Sequence, residues 1–269
     1  MPDLITSVQN PRIKNIVALQ TKSRERRLQN LIVIEGYREI TRAVASGAKL
    51  TELYYCPDFE GKNPETSPGS IAGEATVIEI GKAVFEKIAY REGSDGLIAI
   101  AKPRNLNLEQ LHFSKIPLVV ILEAVEKPGN LGAIMRTADA AGVDAVLVCD
   151  PLTDIYNPNV IRSSVGCVFT VPVIAGTTDD IQHWLKNNKI RSFAAALTNN
   201  AVNYETIDYS SGCAIVLGTE ATGLSNSWLN FCDRQIIIPM NGIADSLNVS
   251  TSAAIIVFEA IRQRKSSKV

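Results

Sequence analysis

Metal and disulfide chemistry have little to work with in this sequence. Its five cysteines (Cys56, Cys149, Cys167, Cys213, Cys232) stand apart, with no CxxC pair, and only two histidines accompany them. That scatter argues against a zinc or other metal site and against a disulfide framework, and it suits a reducing, cytoplasmic compartment. Long apolar runs are missing as well. The longest, IPLVVILEAV (116–125), falls far short of the roughly 20 residues a membrane-spanning helix needs, so no membrane partner is expected. The N-terminus, MPDLITSVQNPRIK, shows no apolar core of a secretory signal. No GxxxxGK[ST] occurs, which excludes a P-loop by pattern, and no GxGxxG follows a strand as a dinucleotide fold requires. Internal repeats and low-complexity tracts are also lacking.

Charge of either sign hardly dominates: the net is −1 over 269 residues, with 46% apolar and 20% charged residues, a globular composition. The distribution is less even. Residues 1–30 carry six basic groups (Arg12, Lys14, Lys22, Arg24, Arg26, Arg27) against Asp3 and Glu25, a net of +4. Residues 105–269 carry twelve basic and fifteen acidic groups, a net of −3. Charge alone leaves two readings open for the basic arm, a phosphate-contacting element or a solvated amphipathic helix.

What is present reads as an α/β protein in two parts. Asn10 as N-cap and Pro11 at the first helical position predict a helix over 10–20. Strands are expected at 31–36, 51–56, 76–80 and 96–102, with helices at 37–47 and 81–89 and a Pro/Gly/Ser-rich loop at 57–70. This gives a small α/β domain over 1–104. Residues 105–116 turn polar and read as a linker. From 117 to 269 the pattern restarts, with apolar strands expected at 117–125, 145–150, 169–174, 192–197, 213–218 and 235–240. Such continuous apolar strands, alternating with helical segments, indicate a parallel sheet covered on both faces.

Three segments of the second part carry more polar chemistry than a plain core needs. EKPGNLGAIMRTADAAG (126–142) places Arg136 in a helix of small and apolar residues. VLGTEATGLSNSWL (216–229) ends a strand in a loop with Glu220 between Gly218 and Gly223, where α/β sheets hold ligands. Taken alone it also fits an ordinary turn with Glu220 in water. IIIPMNGIADSLNVSTSAAIIVFEA (236–260) gathers Ser246, Asn248, Ser250 and Thr251 at a helix start, where such residues also serve merely as caps.

Together, N-x-G-x-x-x-R (Asn130, Gly132, Arg136), G-x-E-x-x-G (Gly218, Glu220, Gly223) and IPM…SLNVS (238–240, 246–250) resemble the SpoU-type, TrmH-like RNA methyltransferases of the SPOUT superfamily. The resemblance covers 117–263. IEGYREITRAVASGAKLTELYY and SDGLIAIAKP look like the substrate-binding domain preceding the catalytic domain in ribosomal RNA members.

The resemblance implies transfer of a methyl group from S-adenosylmethionine to a ribose 2′-hydroxyl, and a C-terminal segment threaded into a trefoil knot. It implies that the cofactor lies against Thr198, Leu217, Gly218, Glu220, Gly223, Ile238, Pro239, Met240, Leu247 and Asn248. Arg136 is then the catalytic residue, with Asn130, Glu220, Ser246 and Asn248 completing the polar set and Glu220 free to pair with a guanidinium. RNA contacts are expected from Arg12, Lys14, Arg24, Arg26 and Arg27, and from Arg162 in NPNVIRSSVG (157–166). Ribosomal RNA is the favoured substrate over transfer RNA, and a homodimer through the C-terminal domain is implied. A non-catalytic RNA-binding protein of the same fold is the rival from another class.

Overall fold

The structure is a computed structural model that describes residues 4–59, 68–90, 95–113 and 115–266. Part of the expected loop (60–67) and of the linker (114) lies outside the described residues. The chain divides into two compact units, one of Met1–Arg104 with Tyr156–Thr170 and one of Asn105–Ile155 with Val171–Val269.

The first unit is built on β1 (Leu4–Ile5), β2 (Ile32–Glu35), β3 (Lys49–Tyr55), β4 (Thr76–Ile80) and β5 (Leu97–Lys102), ordered β1-β4-β3-β5-β2. The sheet is mixed: β4 runs parallel to β1 and β3, while β5 is antiparallel to β3 and β2. Helix α1 (Pro11–Thr21) begins where Asn10 accepts a hydrogen bond from the Arg12 amide and buries Ile13, Ile16 and Leu19. Helix α2 (Ser23–Gln29) follows directly, and α3 (Tyr37–Ala45), α4 (Pro68–Ile71) and α5 (Lys82–Ile88) complete the covering layers.

The second unit holds β6 (Leu118–Glu123), α6 (Pro128–Ala141) and β7 (Ala145–Cys149) before the chain enters α7 (Pro158–Ser163) and α8 (Cys167–Thr170). It returns through β8 (Val173–Gly176), α9 (Thr178–Asn187), β9 (Arg191–Ala195), β10 (Val202–Asn203), β11 (Cys213–Leu217), α10 (Asn226–Phe231), β12 (Arg234–Ile237) and α11 (Val249–Ser266). The strand order is β10-β12-β9-β11-β6-β7-β8 and every pairing is parallel. Every residue of β6, β7 and β11 is buried, as a sheet covered on both faces demands. Helix α11 packs on α6 and on β11.

Three expectations need correction. The strand anticipated at 169–174 starts only at Val173, because residues 167–170 are helical. Pro172 disfavours helical backbone at the residue before it, so the strand begins just beyond. Residues 156–170, read as part of the second domain, pack within the first unit: α7 lies on β2 and α8 on α3. Arg42 on α3 donates to the Val165 carbonyl at 2.5 Å. Gly166 adopts φ +79 with its Cβ position only 3.1 Å from the Glu39 Cα, so a larger residue there would collide with α3. The segment 105–116 is also no free tether. Leu111 is buried in the core of the second unit, and Leu106, Leu108 and Phe113 pack against it.

Candidate active site

A cavity of about 710 Å³ opens at the carboxyl ends of β9, β11 and β12. In an open parallel sheet this is where loops diverge and ligands bind, and the volume lies within the range of small-molecule sites. Its floor is apolar, with Leu224, Ile236, Val249 and Ile256 among the lining residues. Its rim is polar, with Thr198, Glu220, Asp245, Ser246 and Asn248. The structure therefore brings together Thr198, Leu217, Gly218, Glu220, Gly223, Ile238, Met240, Ser246, Leu247 and Asn248 around one space. Pro239, exposed between Ile238 and Met240, is not among the lining residues.

The glycines of the 218–223 loop have separate reasons. Thr219 and Gly223 exchange two backbone hydrogen bonds of 3.1 Å, closing a tight hairpin with Glu220 near its tip. A Cβ on Gly218 would lie 2.3 Å from the Gly223 carbonyl carbon and oxygen and 2.5 Å from the Leu224 nitrogen. The close approach that requires Gly218 is thus that of the loop's own backbone. Gly223 has φ +70, which only glycine adopts at little cost.

Glu220 is the hub of a polar network. Its carboxylate accepts from the Lys127 ammonium and from the Asn130 side-chain amide. Asn248 donates to Glu220 at 3.1 Å and to the Asn130 oxygen at 3.2 Å. Asn248 is itself fixed at the head of α11, where its side chain accepts from the Ser250 amide at 2.9 Å and the Ser250 hydroxyl at 2.6 Å. The hydrogen bond from Lys127, with that from Asn130 and against desolvation, holds the Glu220 carboxyl below its ordinary value of 4.5.

The cation paired with Glu220 is an ammonium rather than the guanidinium anticipated from sequence. Asn130 and Arg136 both lie on α6, but six residues set them roughly 120° apart around the axis and about 9 Å along it. The Arg136 side chain is exposed, lies outside the cavity lining, and makes no hydrogen bond or ion pair with the described residues. Lys127 escaped the sequence reading. Its one signal was position: it stands between the end of a buried strand and the proline that opens α6, across the cavity mouth from the hairpin. Ala124, at φ +47, turns the chain out of β6 and delivers Lys127 to that place.

The basic residues of the first unit also sort themselves. Lys14, Arg24 and Arg27 are exposed, and Arg12 pairs with Glu52 at 3.7 Å with its side chain 42% exposed. Arg26 is different: it is 5% exposed and donates to the Leu19 carbonyl at 2.6 Å and the Gln20 carbonyl at 3.3 Å. It caps the C-terminal end of α1 and has no surface to offer RNA. Arg162, at the end of α7, is exposed and lies over the Tyr90 ring, 6.0 Å from its centroid.

Residues 117–258 match the SpoU rRNA Methylase family, and residues 10–99 match the MRM3-like substrate binding domain. The 23S rRNA (guanosine(2553)-2′-O)-methyltransferase RlmP of Bacillus subtilis (strain 168) is 29% identical over 254 residues, spanning 94% of this chain and 97% of that protein. A crystal structure of an RNA 2′-O ribose methyltransferase superposes with a TM-score of 0.84 at 39% identity, covering 97% of this chain and 99% of that one. The AdoMet-bound rRNA methyltransferase from Sinorhizobium meliloti gives a TM-score of 0.87 at 30% identity, with 97% of each chain covered. The chain belongs to the SpoU rRNA methylase family.

Proposed function

We propose that this protein methylates a ribose 2′-hydroxyl of ribosomal RNA with S-adenosylmethionine as the methyl donor. The observation that carries the reading is the cavity itself, with its apolar floor and carboxylate-bearing rim beside the Lys127–Asn130–Glu220–Asn248 network. The fit to the cofactor is chemical. Ile238, Met240 and Leu247 offer apolar surface for an adenine, Thr198 and the hairpin backbone offer polar partners, and Glu220 and Asp245 would supply negative charge to a cationic sulfonium. When bound, the cofactor supplies an electrophilic methyl group.

The task left to the chain is to align a hydroxyl oxygen for in-line displacement and exclude competing water. Glu220 already accepts three donors and its carboxyl is held below the ordinary range, so it organises Lys127, Asn130 and Asn248 rather than taking the hydroxyl proton. A guanidinium keeps its proton and is a poor base, which leaves Arg136 a different task. In this reading it orients the ribose and stabilises developing negative charge from its exposed place on α6.

A homodimer through the C-terminal unit completes the reading. Helix α11 turns Phe258 outward at 47% exposure, with the half-buried Ala254 and Ile255 on the same side. Arg136 is exposed outside its own chain's cavity, which suits a site completed by a second copy. The same reading threads the segment 238–249 through the preceding loops as a trefoil knot; the return from β12 across the sheet to α11 on α6 supports it. The first unit binds the RNA, supported by exposed Lys14, Arg24, Arg27 and Arg162 and by the MRM3-like match. No helix of the described residues is long and apolar enough to cross a membrane, and five free cysteines fit a reducing cytoplasm.

The test is methyl transfer from radiolabelled S-adenosylmethionine to ribosomal and transfer RNA fractions by the purified protein. Label in ribosomal RNA is the expected result. Label in transfer RNA alone would shift the substrate, and cofactor binding without label in either would favour a non-catalytic RNA-binding role.

A further inference from the structure

Lys127 is the one cation among the described residues that line the cavity, where the other charged groups are Glu220 and Asp245. Its ammonium is tethered to Glu220, yet its side chain is 69% exposed. An ammonium has three hydrogens. One is directed at Glu220, which leaves two for a further acceptor at the cavity mouth. Glu220 in turn is committed to Asn130 and Asn248 through its other oxygen, so the tether is anchored to both α6 and the start of α11.

Ribose chemistry decides what that acceptor is. The 2′-hydroxyl is vicinal to the 3′-oxygen, so a ribose presenting its 2′-hydroxyl to this cavity brings its 3′-phosphodiester within a few ångströms of the mouth. We infer that Lys127, held by Glu220, binds the phosphodiester on the 3′ side of the methylated nucleotide and so positions the ribose. The inference rests on the methyltransferase reading and deepens it. A lysine suits the role: its flexible stem follows the phosphate as a point charge, while the carboxylate limits its travel. Lys127 is a substrate-positioning residue in this account, and its contact carries no base specificity.

The experiment measures RNA binding and methyl transfer for Lys127→Gln and Lys127→Arg against the native protein, across a salt series. Loss of one phosphate contact to a single-stranded site lowers the slope of log affinity against log salt by about 0.7. Lys127→Gln is expected to show that drop, with KM for RNA raised about tenfold and affinity for S-adenosylmethionine within twofold of native. Lys127→Arg keeps the charge and is expected to restore the native slope. An unchanged slope in Lys127→Gln would overturn the inference, because it would mean that Lys127 acts only by placing Glu220. A loss of cofactor affinity in step with the loss of RNA affinity would overturn it too. Failure of the native protein to methylate any RNA is a separate outcome, and it would sink the methyltransferase reading itself.

Discussion

Gly218→Ala is the substitution whose consequence follows most directly from the geometry. The added methyl would fall 2.3 Å from the Gly223 carbonyl, whereas ordinary contact begins at 3.4 Å, so one segment of backbone has to move by about 1 Å. Neither segment is a flexible side chain. The hairpin gives way first, and with it the two Thr219–Gly223 hydrogen bonds, each worth about 1 kcal/mol. Overpacking adds about 1–3 kcal/mol, for a total of about 3–5 kcal/mol. Gly223→Ala is the control. Its Cβ would meet nothing within 4 Å, and only the left-handed backbone penalises it, by about 1–2 kcal/mol. Urea unfolding and calorimetric titration with S-adenosylmethionine separate the two. Gly218→Ala should lose the larger stability and, because Glu220 rides on the hairpin, should slow methyl transfer by about 10²-fold, the effect of a 1 Å misplacement. A Gly218→Ala protein with native stability and native turnover would refute the account of the loop.

Four further expectations concern named side chains. Arg136→Lys retains the charge but loses the planar fork, so kcat should fall steeply while cofactor affinity stays native; near-normal turnover would remove Arg136 from the catalytic step. Arg26→Ala strips the capping bonds from the end of α1 and should destabilise the first unit by about 1–3 kcal/mol in urea. The triple change of Lys14, Arg24 and Arg27 to Ala should weaken RNA binding with little loss of stability, and the opposite pattern would reverse these assignments. Glu220 has a depressed carboxyl, so its stabilising contribution is complete above the ordinary value of 4.5 and disappears as pH falls through the lower folded value. Carbon-detected NMR should show it titrating below 4.5, and a midpoint at or above that value would break the proposed tether to Lys127.

Much of this was legible from residue pattern. Buried parallel strands announce themselves as unbroken apolar runs, and 118–123, 145–149 and 213–217 were readable because both faces of the sheet are covered. The convergence of Gly218, Glu220, Ser246 and Asn248 on one cavity was expected only through the family resemblance that three separated motifs carry together. What escaped depends on tertiary context. Arg26 looks like its basic neighbours along the chain, and only the packing of α1 against α2 reveals it as a cap. Residues 167–170 are apolar enough for a strand, but the turn at Val165 and Gly166, pinned by Arg42, keeps them helical. Lys127 carries no periodic signal at all, and its partner lies 93 positions away.

The most direct test of the central claim is a nucleotide-resolution map of 2′-O-methylation in ribosomal RNA incubated with S-adenosylmethionine and either the native protein or Arg136→Lys. A ribose 2′-O-methyl group at a defined ribosomal RNA position, present with the native protein and absent or greatly reduced with the variant, is the predicted result. A map that is unchanged by the native protein, or a methyl group found on a base, would contradict it.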